Sequence, residues 1–506
     1  REGARAVIRA AVGAGDEDVV LFVGSGATGA INRLIDVMNL RIPSELDHRY
    51  GFSRQIPAAE RPVVFIGPYE HHSNELPWRE SIADVVTIAE GPDGKIDLAE
   101  LSASLEAYRD RPIKIGSFSA ASNVTGIGSN TRAVTALLHA HGALSFWDFA
   151  AAGPYVKIEM NMRDDGPDGH LLYKDAIFLS PHKFIGGPQT PGVLVAKRKL
   201  FQNRVPAVVG GGTVAYVNSK EHVYLDDPEH REEGGTPAIL ESIRAGLVFQ
   251  LKEAVGHETI RDRERDFIER AISRWEQQAN IVILGNRDAW RLSIVSFMVR
   301  YGSGFLHHNF VCTVLSDLLG IQARSGCSCA GPYGHRLLGI DLVTSKEFER
   351  EILGGCEGIK PGWVRVNFNY FISEPVFEFL LRGVELVAEH AHVLLPHYQF
   401  DAKTGLWRHR SGFAQKGLRL SNVSYRSGKL EVRSAHVREP EWALDSYLED
   451  AARIFDQARA EQEELGAEPL PERLEALRWF PLPCEVRADL RQPSPAQMTD
   501  PPRRIR

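Results

Sequence analysis

From Asp18 to about Arg198 the chain alternates between short, nearly continuous apolar runs and longer stretches with helical spacing. The apolar runs are Val19–Val23, Val63–Ile66, Val85–Ile88, Ile113–Phe118, Leu144–Trp147, Ala176–Leu179 and Gly192–Val195. Uninterrupted runs of this length are the pattern of strands buried on both faces. Helical spacing falls between them at Gly29–Met38, Leu98–Tyr108 and Thr131–His141. Alternating β and α units predict an α/β fold with a large, mainly parallel seven-stranded sheet covered by helices. In such sheets ligands bind at the carboxyl ends of the strands.

Beyond this region the period changes. Ile239–Ala254 and His257–Trp275 read as two long helices without a strand between them. A smaller α/β set follows: Ile281–Leu284, Ile294–Met298, a helix at Asn309–Leu319, Trp363–Asn367 and a helix at Pro375–His390. After about Leu395 the pattern breaks down. Tyr398–Arg410 is polar and aromatic, Leu418–Val437 fits a hairpin, Glu439–Leu465 fits one acidic helix, and Arg491–Arg506 is a Pro- and Arg-rich stretch expected to be disordered. The expected organisation is a large domain over 1–260, a small α/β domain over 261–395 and a partly disordered extension over 396–506. Arg1–Ala14 reads as the tail of a helix already under way, so upstream residues are expected.

Composition narrows the function classes. A 506-residue chain is too long for one core. Lys and Arg number 59 against 66 Asp and Glu, a formal charge of −7, so no global basic character attracts nucleic acid. No apolar run is long enough to predict a membrane span. The cysteines, Cys312, Cys327, Cys329, Cys356 and Cys484, are odd in number. That does not resemble an extracellular disulfide framework, and a reducing, cytoplasmic location is expected.

The candidate chemistry sits at strand ends. Lys183 follows the strand Ala176–Leu179 and enters a loop rich in Gly and Pro. A lysine there forms a Schiff base if desolvation and nearby positive charge lower its pKa; the alternative is a solvated loop lysine. Leu144-Ser-Phe-Trp-Asp148 is an apolar strand ending in a carboxylate. A pyridoxal phosphate (PLP) ring needs an acid opposite its pyridine nitrogen to act as an electron sink, and a capping Asp is the bland reading. Val23-Gly-Ser-Gly-Ala-Thr-Gly-Ala-Ile-Asn32 reads as strand, glycine turn and helix start, a site for a phosphate. Its Gly24-x-Gly26-x-x-Gly29 also matches a dinucleotide fingerprint, but no acidic strand end follows at the required distance.

Taken in order, Glu70-His-His-Ser-Asn74, Ser122-Asn-Val-Thr-Gly126, Asp148, Ser180-x-His-Lys183, Gly210-Gly-Gly212 and Gly235-Thr-Pro237 resemble the class V aminotransferase-fold PLP enzymes. The likeness runs from about Asp18 to about His390 and is greatest to cysteine desulfurases and selenocysteine lyases. It implies the fold type I PLP-dependent transferase architecture. Lys183 is then the Schiff-base lysine, Asp148 the pyridine-nitrogen partner, and His71 the residue that stacks on the ring and assists proton transfer. Asn123 is implied near the cofactor oxygen and the substrate. Gly26, Ala27, Thr28, Ser180 and His182 hold the phosphate, with Thr236 reaching in from a second subunit of a homodimer.

Two further positions bear on the reaction. Arg324-Ser-Gly-Cys-Ser-Cys329 resembles the desulfurase loop Arg-x-Gly-x-x-Cys, with Cys329 at the persulfide-forming position. Cys327 is its rival, and also a possible disulfide partner. Cys327 and Cys329 with His335 lack the usual zinc spacing, so no metal is expected. Arg365 matches the arginine that grips the substrate carboxylate, a task suited to bidentate geometry and shared by Arg324. The chain departs from the desulfurase Asp-x-Ala-Gln run at Ala151, which cannot contact the cofactor's phenolic oxygen. The implied reaction is a PLP-dependent removal of sulfur or selenium from a cysteine-like amino acid, passed to a sulfur-acceptor protein. The alternatives are another class V reaction (aminotransferase, epimerase or carbon–sulfur lyase) with Cys329 a bystander, or a non-catalytic scaffold.

Overall fold

The seven apolar runs all become strands of one sheet in the computed structural model, which describes residues 1–412, 420–432, 439–461 and 470–491. They are β1 Asp18–Val23, β2 Val63–Ile66, β3 Asp84–Thr87, β4 Lys114–Ser119, β5 Leu144–Asp148, β6 Ala176–Leu179 and β7 Gly192–Lys197. Their order is β1-β7-β6-β5-β4-β2-β3. Pairing is parallel from β3 through β6, and β7 runs antiparallel to both β6 and β1. Every residue of β1, β2 and β6 is buried, as uninterrupted apolar runs require, whereas β3 at the sheet edge is half-exposed.

Two strands, β3 and β4, are shifted by one residue from the expected place, and β1, β5 and β7 run one or two residues longer than expected. Asp84 and Lys114 both pair with Val63, so the ladder takes in a polar residue at the rim of the sheet and leaves Ile88 and Ile113 outside. Hydrophobicity alone misplaces such ends, because a rim residue satisfies its backbone without burying its side chain.

Before β1 lies α1, Glu2–Ala11, and after it α2, Gly26–Val37. Helical spacing in the sequence starts only at Gly29. The helix instead begins at Gly26, whose φ of +56° lets the chain turn from strand into helix without a loop. The buried face of α2, with Ala27, Ile31, Leu34 and Ile35, joins Val19, Leu21, Phe146 and Phe178 in one core cluster. The two long helices are Ile239–Val255 and His257–Trp275. An exposed hairpin, β8 Val214–Val217 and β9 His222–Tyr224, was not foreseen.

The chain forms two compact units. The first comprises Arg1–Ile268, Gly285–Val295 and Ser328–Gly334; the second comprises Glu269–Leu284, Ser296–Cys327 and the described residues from His335 onward. The second is built on β10 Ile281–Ile283, β11 Ile294–Tyr301, β12 Gly304–Phe305, β13 Arg324–Gly326 and β14 Trp363–Asn367, in the order β10-β11-β14-β13 with β12 on β11. Helices His308–Leu319, Glu374–His390 and Leu444–Ala460 accompany it.

The polar and aromatic stretch after Leu395, read as irregular, folds into an antiparallel pair, Tyr398–Phe400 with Trp407–His409. A further helix, Pro483–Arg491, was not anticipated. The expected hairpin at 418–437 is represented by Val423–Ser424 pairing with Glu431–Val432; residues 418–419 and 433–437 lie outside the described residues. The same holds for residues 462–465 of the acidic helix and for the Pro- and Arg-rich end from 492 onward.

Candidate active site

The carboxyl ends of β1, β2, β4, β5 and β6 bring five of the motifs onto one edge of the first unit. Beyond β1, Gly26 and Ala27 are buried and Thr28 is exposed. The Ala27 amide donates to Ser180 Oγ at 2.9 Å, tying the helix start to the end of β6. A Cβ on Gly26 would stand 2.5 Å from His182 Cε1 and 2.7 Å from Ser180 Oγ. Only glycine lets these two side chains come so close to the backbone of the helix start. Ser25, the residue capping α2, makes no side-chain cap bond, and the leading amides of a helix, apart from the one that Ser180 takes here, suit an anion.

Asp148 ends β5, opposite Phe178 of β6. It is 4% exposed, and its Oδ1 accepts the Ala150 amide at 2.7 Å. Burial raises its pKa, while the positive charge of Lys183 pulls the other way. A buried carboxylate of this kind is relieved by a cation placed against it. Lys183 lies in the turn Pro181–Lys183 that follows β6, its amide donating to Ser180 O at 2.9 Å. Partial desolvation, and then the Lys183 charge, lower the pKa of His182.

Beyond β2, the segment Glu70–Asn74 is anchored from beneath. Glu70 Oε1 accepts the amides of Gly67 (3.2 Å) and Ser119 (2.9 Å), and Oε2 accepts Asn74 Nδ2 (2.7 Å) and Ser119 Oγ (2.6 Å). On this base His71 faces Ser73: its Nδ1 accepts the Ser73 amide at 3.0 Å, which places the proton of the neutral ring on Nε2. Ser73 Oγ lies 2.6 Å from Thr28 Oγ1, so the His71 ring and the start of α2 are linked.

Cys329 returns to this same unit. The His72 amide donates to Cys329 O at 2.9 Å, His72 Nε2 accepts the Gly331 amide at 3.0 Å, and Asn123 Nδ2 donates to Ser328 O at 2.7 Å. Tyr333 packs edge-on to Tyr69, with ring centroids 5.7 Å apart. Ser328 and Cys329 both have left-handed backbones, at φ of +53° and +58°. For L residues that conformation carries about 1–2 kcal/mol of strain each.

The remaining expected residues lie elsewhere. Arg324 and Arg365 belong to the second unit, directly opposite one another on the β13–β14 ladder. Like charges in that position destabilise a sheet and favour an anion at their ends. Cys327 also belongs to the second unit. Thr236 is exposed in the segment before helix Ile239–Val255. The sequence reading missed the roles of Glu70, His72, Ser73 and Tyr333. The first three lie inside a motif it had recognised, but which of two adjacent histidines faces which partner is set by the turn.

A parallel sheet with a lysine and a buried carboxylate at neighbouring strand ends defines an α/β protein of the fold type I class. Residues 1–342 match the aminotransferase class-V family, and the chain belongs to that family. A probable cysteine desulfurase of Halalkalibacterium halodurans is 28% identical over 335 residues, which cover 65% of this chain and 73% of that protein. One from Staphylococcus epidermidis is 26% identical over 351 residues, 69% of this chain and 76% of its own length. The solved apo cysteine desulfurase of Thermococcus onnurineus superposes with a TM-score of 0.59 at 23% identity, covering 77% of this chain and 83% of that one. At that identity the superposition speaks for the fold.

Proposed function

We propose that this protein is a PLP-dependent enzyme that removes sulfur, or selenium, from a cysteine-like amino acid through a persulfide on Cys329 and releases alanine. The observation that carries the reading is the docking of the Cys329 segment onto the Glu70–Ser73 turn of the unit that holds Lys183 and Asp148. The first unit fits the cofactor: the Gly26 cradle and the open end of α2 suit a phosphate, and the buried Asp148 suits a protonated ring nitrogen. Gly26, Ala27, Thr28, Ser180 and His182 would hold the phosphate, Asp148 the ring nitrogen, Lys183 the aldehyde carbon and His71 the ring face. When bound, PLP would supply an electron sink for charge developing on the substrate's α-carbon.

The chain's own residues do the rest. Lys183 Nζ accepts and returns the α-proton. Asn123 orients the substrate, and Arg365 with Arg324 grips its carboxylate by paired N–H donors. Cys329 Sγ, as thiolate, attacks the substrate sulfur: an S–S bond forms, the Cβ–S bond breaks with its electron pair staying on carbon, and a proton completes the alanine methyl. The balance is one thiol substrate plus one enzyme thiol giving alanine plus one persulfide, passed on to a thiol acceptor protein.

A homodimer is part of this proposal, with Thr236 completing the partner's phosphate site. It is supported by exposed apolar side chains on one face of helix Ile239–Val255 (Leu240, Ile243, Leu247 and Leu251) and on the hairpin (Tyr216, Val217 and Val223). Among the described residues no helix is long and apolar enough to cross a membrane. A reducing, cytoplasmic setting is proposed because none of the five cysteines is in a disulfide and the chemistry needs a thiol. Ala151 favours a second reading, a different class V reaction in which Cys329 is idle; dependence on an amino acceptor would mark it.

The test is incubation with PLP and cysteine under reducing conditions, assaying alanine and sulfide. Cys329→Ala should abolish both products, and normal turnover by that variant rejects the nucleophile. Borohydride should fix the cofactor absorbance on the wild type but not on Lys183→Ala.

A further inference from the structure

We infer that His72 is a positioning residue that docks the Cys329 loop and thereby sets the stance of the thiol. The docking stands on geometry alone; its kinetic consequence rests on the desulfurase reading above.

The argument begins with the backbone. Ser328 and Cys329 occupy the left-handed region in succession, where L residues occur singly and only when the surroundings over-determine them. The surroundings here are three hydrogen bonds on neighbouring residues: Asn123 Nδ2 to Ser328 O, the His72 amide to Cys329 O, and the Gly331 amide to His72 Nε2. His72 supplies two of the three: its amide takes the carbonyl of the thiol-bearing residue itself, and its ring takes the amide two residues further on.

The second bond has its own reason. Gly331 is the first residue of the helix Gly331–Leu338, and the leading amides of a helix have no acceptor within it. The His72 ring serves as that acceptor from outside. A Cβ on Gly331 would stand 3.3 Å from His72 Nε2, tight for a side chain but open for glycine. The two histidines therefore divide their work: the His71 ring turns to Ser73 and the start of α2, the His72 ring to the Cys329 loop. Without His72 the Gly331 amide is stranded, and the left-handed pair relaxes toward ordinary backbone, carrying Sγ with it.

The test uses the full chain loaded with PLP and reads the rate at which iodoacetamide alkylates Cys329, with fragment-ion mass spectrometry separating it from Cys327. His72→Ala should speed alkylation about fivefold, the worth of one hydrogen bond. His72→Gln, whose amide oxygen takes the place of Nε2, should stay near the wild-type rate. Gly331→Pro removes the donor from the other side and is compatible with a first helical position; it should match His72→Ala, and the double variant should be no faster than either. In cysteine turnover His72→Ala should lower kcat with KM and the cofactor spectrum unchanged, and His72→Gln should restore it. Equal alkylation in wild type, His72→Ala and Gly331→Pro overturns the docking role, as does a His72→Gln variant that behaves like His72→Ala. If the wild type yields no alanine from cysteine, the desulfurase reading fails while the alkylation series still decides the docking.

Discussion

Gly26 shows how one residue type shapes the end of the site proposed to take a phosphate. Its φ of +56° and the 2.5 Å approach of His182 Cε1 to a notional Cβ exclude any side chain. Gly26→Ala should cost about 1–3 kcal/mol in overpacking and left-handed strain and weaken PLP binding more than tenfold, read by thermal melting and absorbance titration. Unchanged cofactor affinity would refute the cradle. Glu70 makes the opposite kind of statement, through charge. Burial raises its pKa to about 7, Ser119 and Asn74 oppose the rise, and the Asp148 charge adds to it. An acid with a raised folded pKa binds more protons folded than unfolded, so the stability it lends is full below its ordinary value and lost as pH climbs through about 7. The gap is worth about 3 kcal/mol. Urea unfolding at pH 5 and pH 8 should show that loss in the wild type and a smaller one in Glu70→Gln; identical pH dependence rejects the assignment. The glycine was legible in the sequence because the strand–glycine–helix pattern exposes it. The buried glutamate was not, since nothing local distinguishes it from a solvated one.

At the scale of elements, strand interiors were legible and edges were not. β2 and β6 match their apolar runs residue for residue, because a strand covered on both faces must be apolar throughout. β13 escaped notice: its three residues, Arg-Ser-Gly, carry no hydrophobic signal and are strand only through pairing with β14. The segment after Leu395 escaped for a related reason. Trp407, Trp479 and Phe480 gather around His307, and the Trp479 indole donates to Ile359 O at 3.1 Å. These partners are distant in sequence, so no periodicity announces them. His307 is fully enclosed there, and burial lowers its pKa well below the usual range. Trp479→Ala should destabilise the second unit by about 3–5 kcal/mol, measured by denaturant unfolding. A change under 1 kcal/mol would show that the tail merely rests on this unit.

For the whole molecule, the formal charge of −7 sets no basic field, so recognition falls to apolar surface and to the site itself. Leu240 (75% exposed) and Leu247 (57% exposed) lie on the outer face of a long helix. An apolar stripe of that kind suits the proposed homodimer interface. If the protein is the proposed homodimer and this stripe is its interface, Leu247→Glu should give monomers by light scattering and lower cofactor retention through the loss of the partner's Thr236; a monomeric wild type or an undisturbed dimer would overturn that assignment. The places of the buried strands along the chain, the lysine and carboxylate at their ends and the glycine turn were readable from the chain, because each rests on local composition or on spacing along it. Which histidine meets the cysteine loop, how Glu70 comes to be enclosed and where Trp407, Trp479 and Phe480 pack were not readable. Those outcomes depend on contacts between residues far apart in the chain, and pairings of that kind leave no periodic trace in a linear sequence.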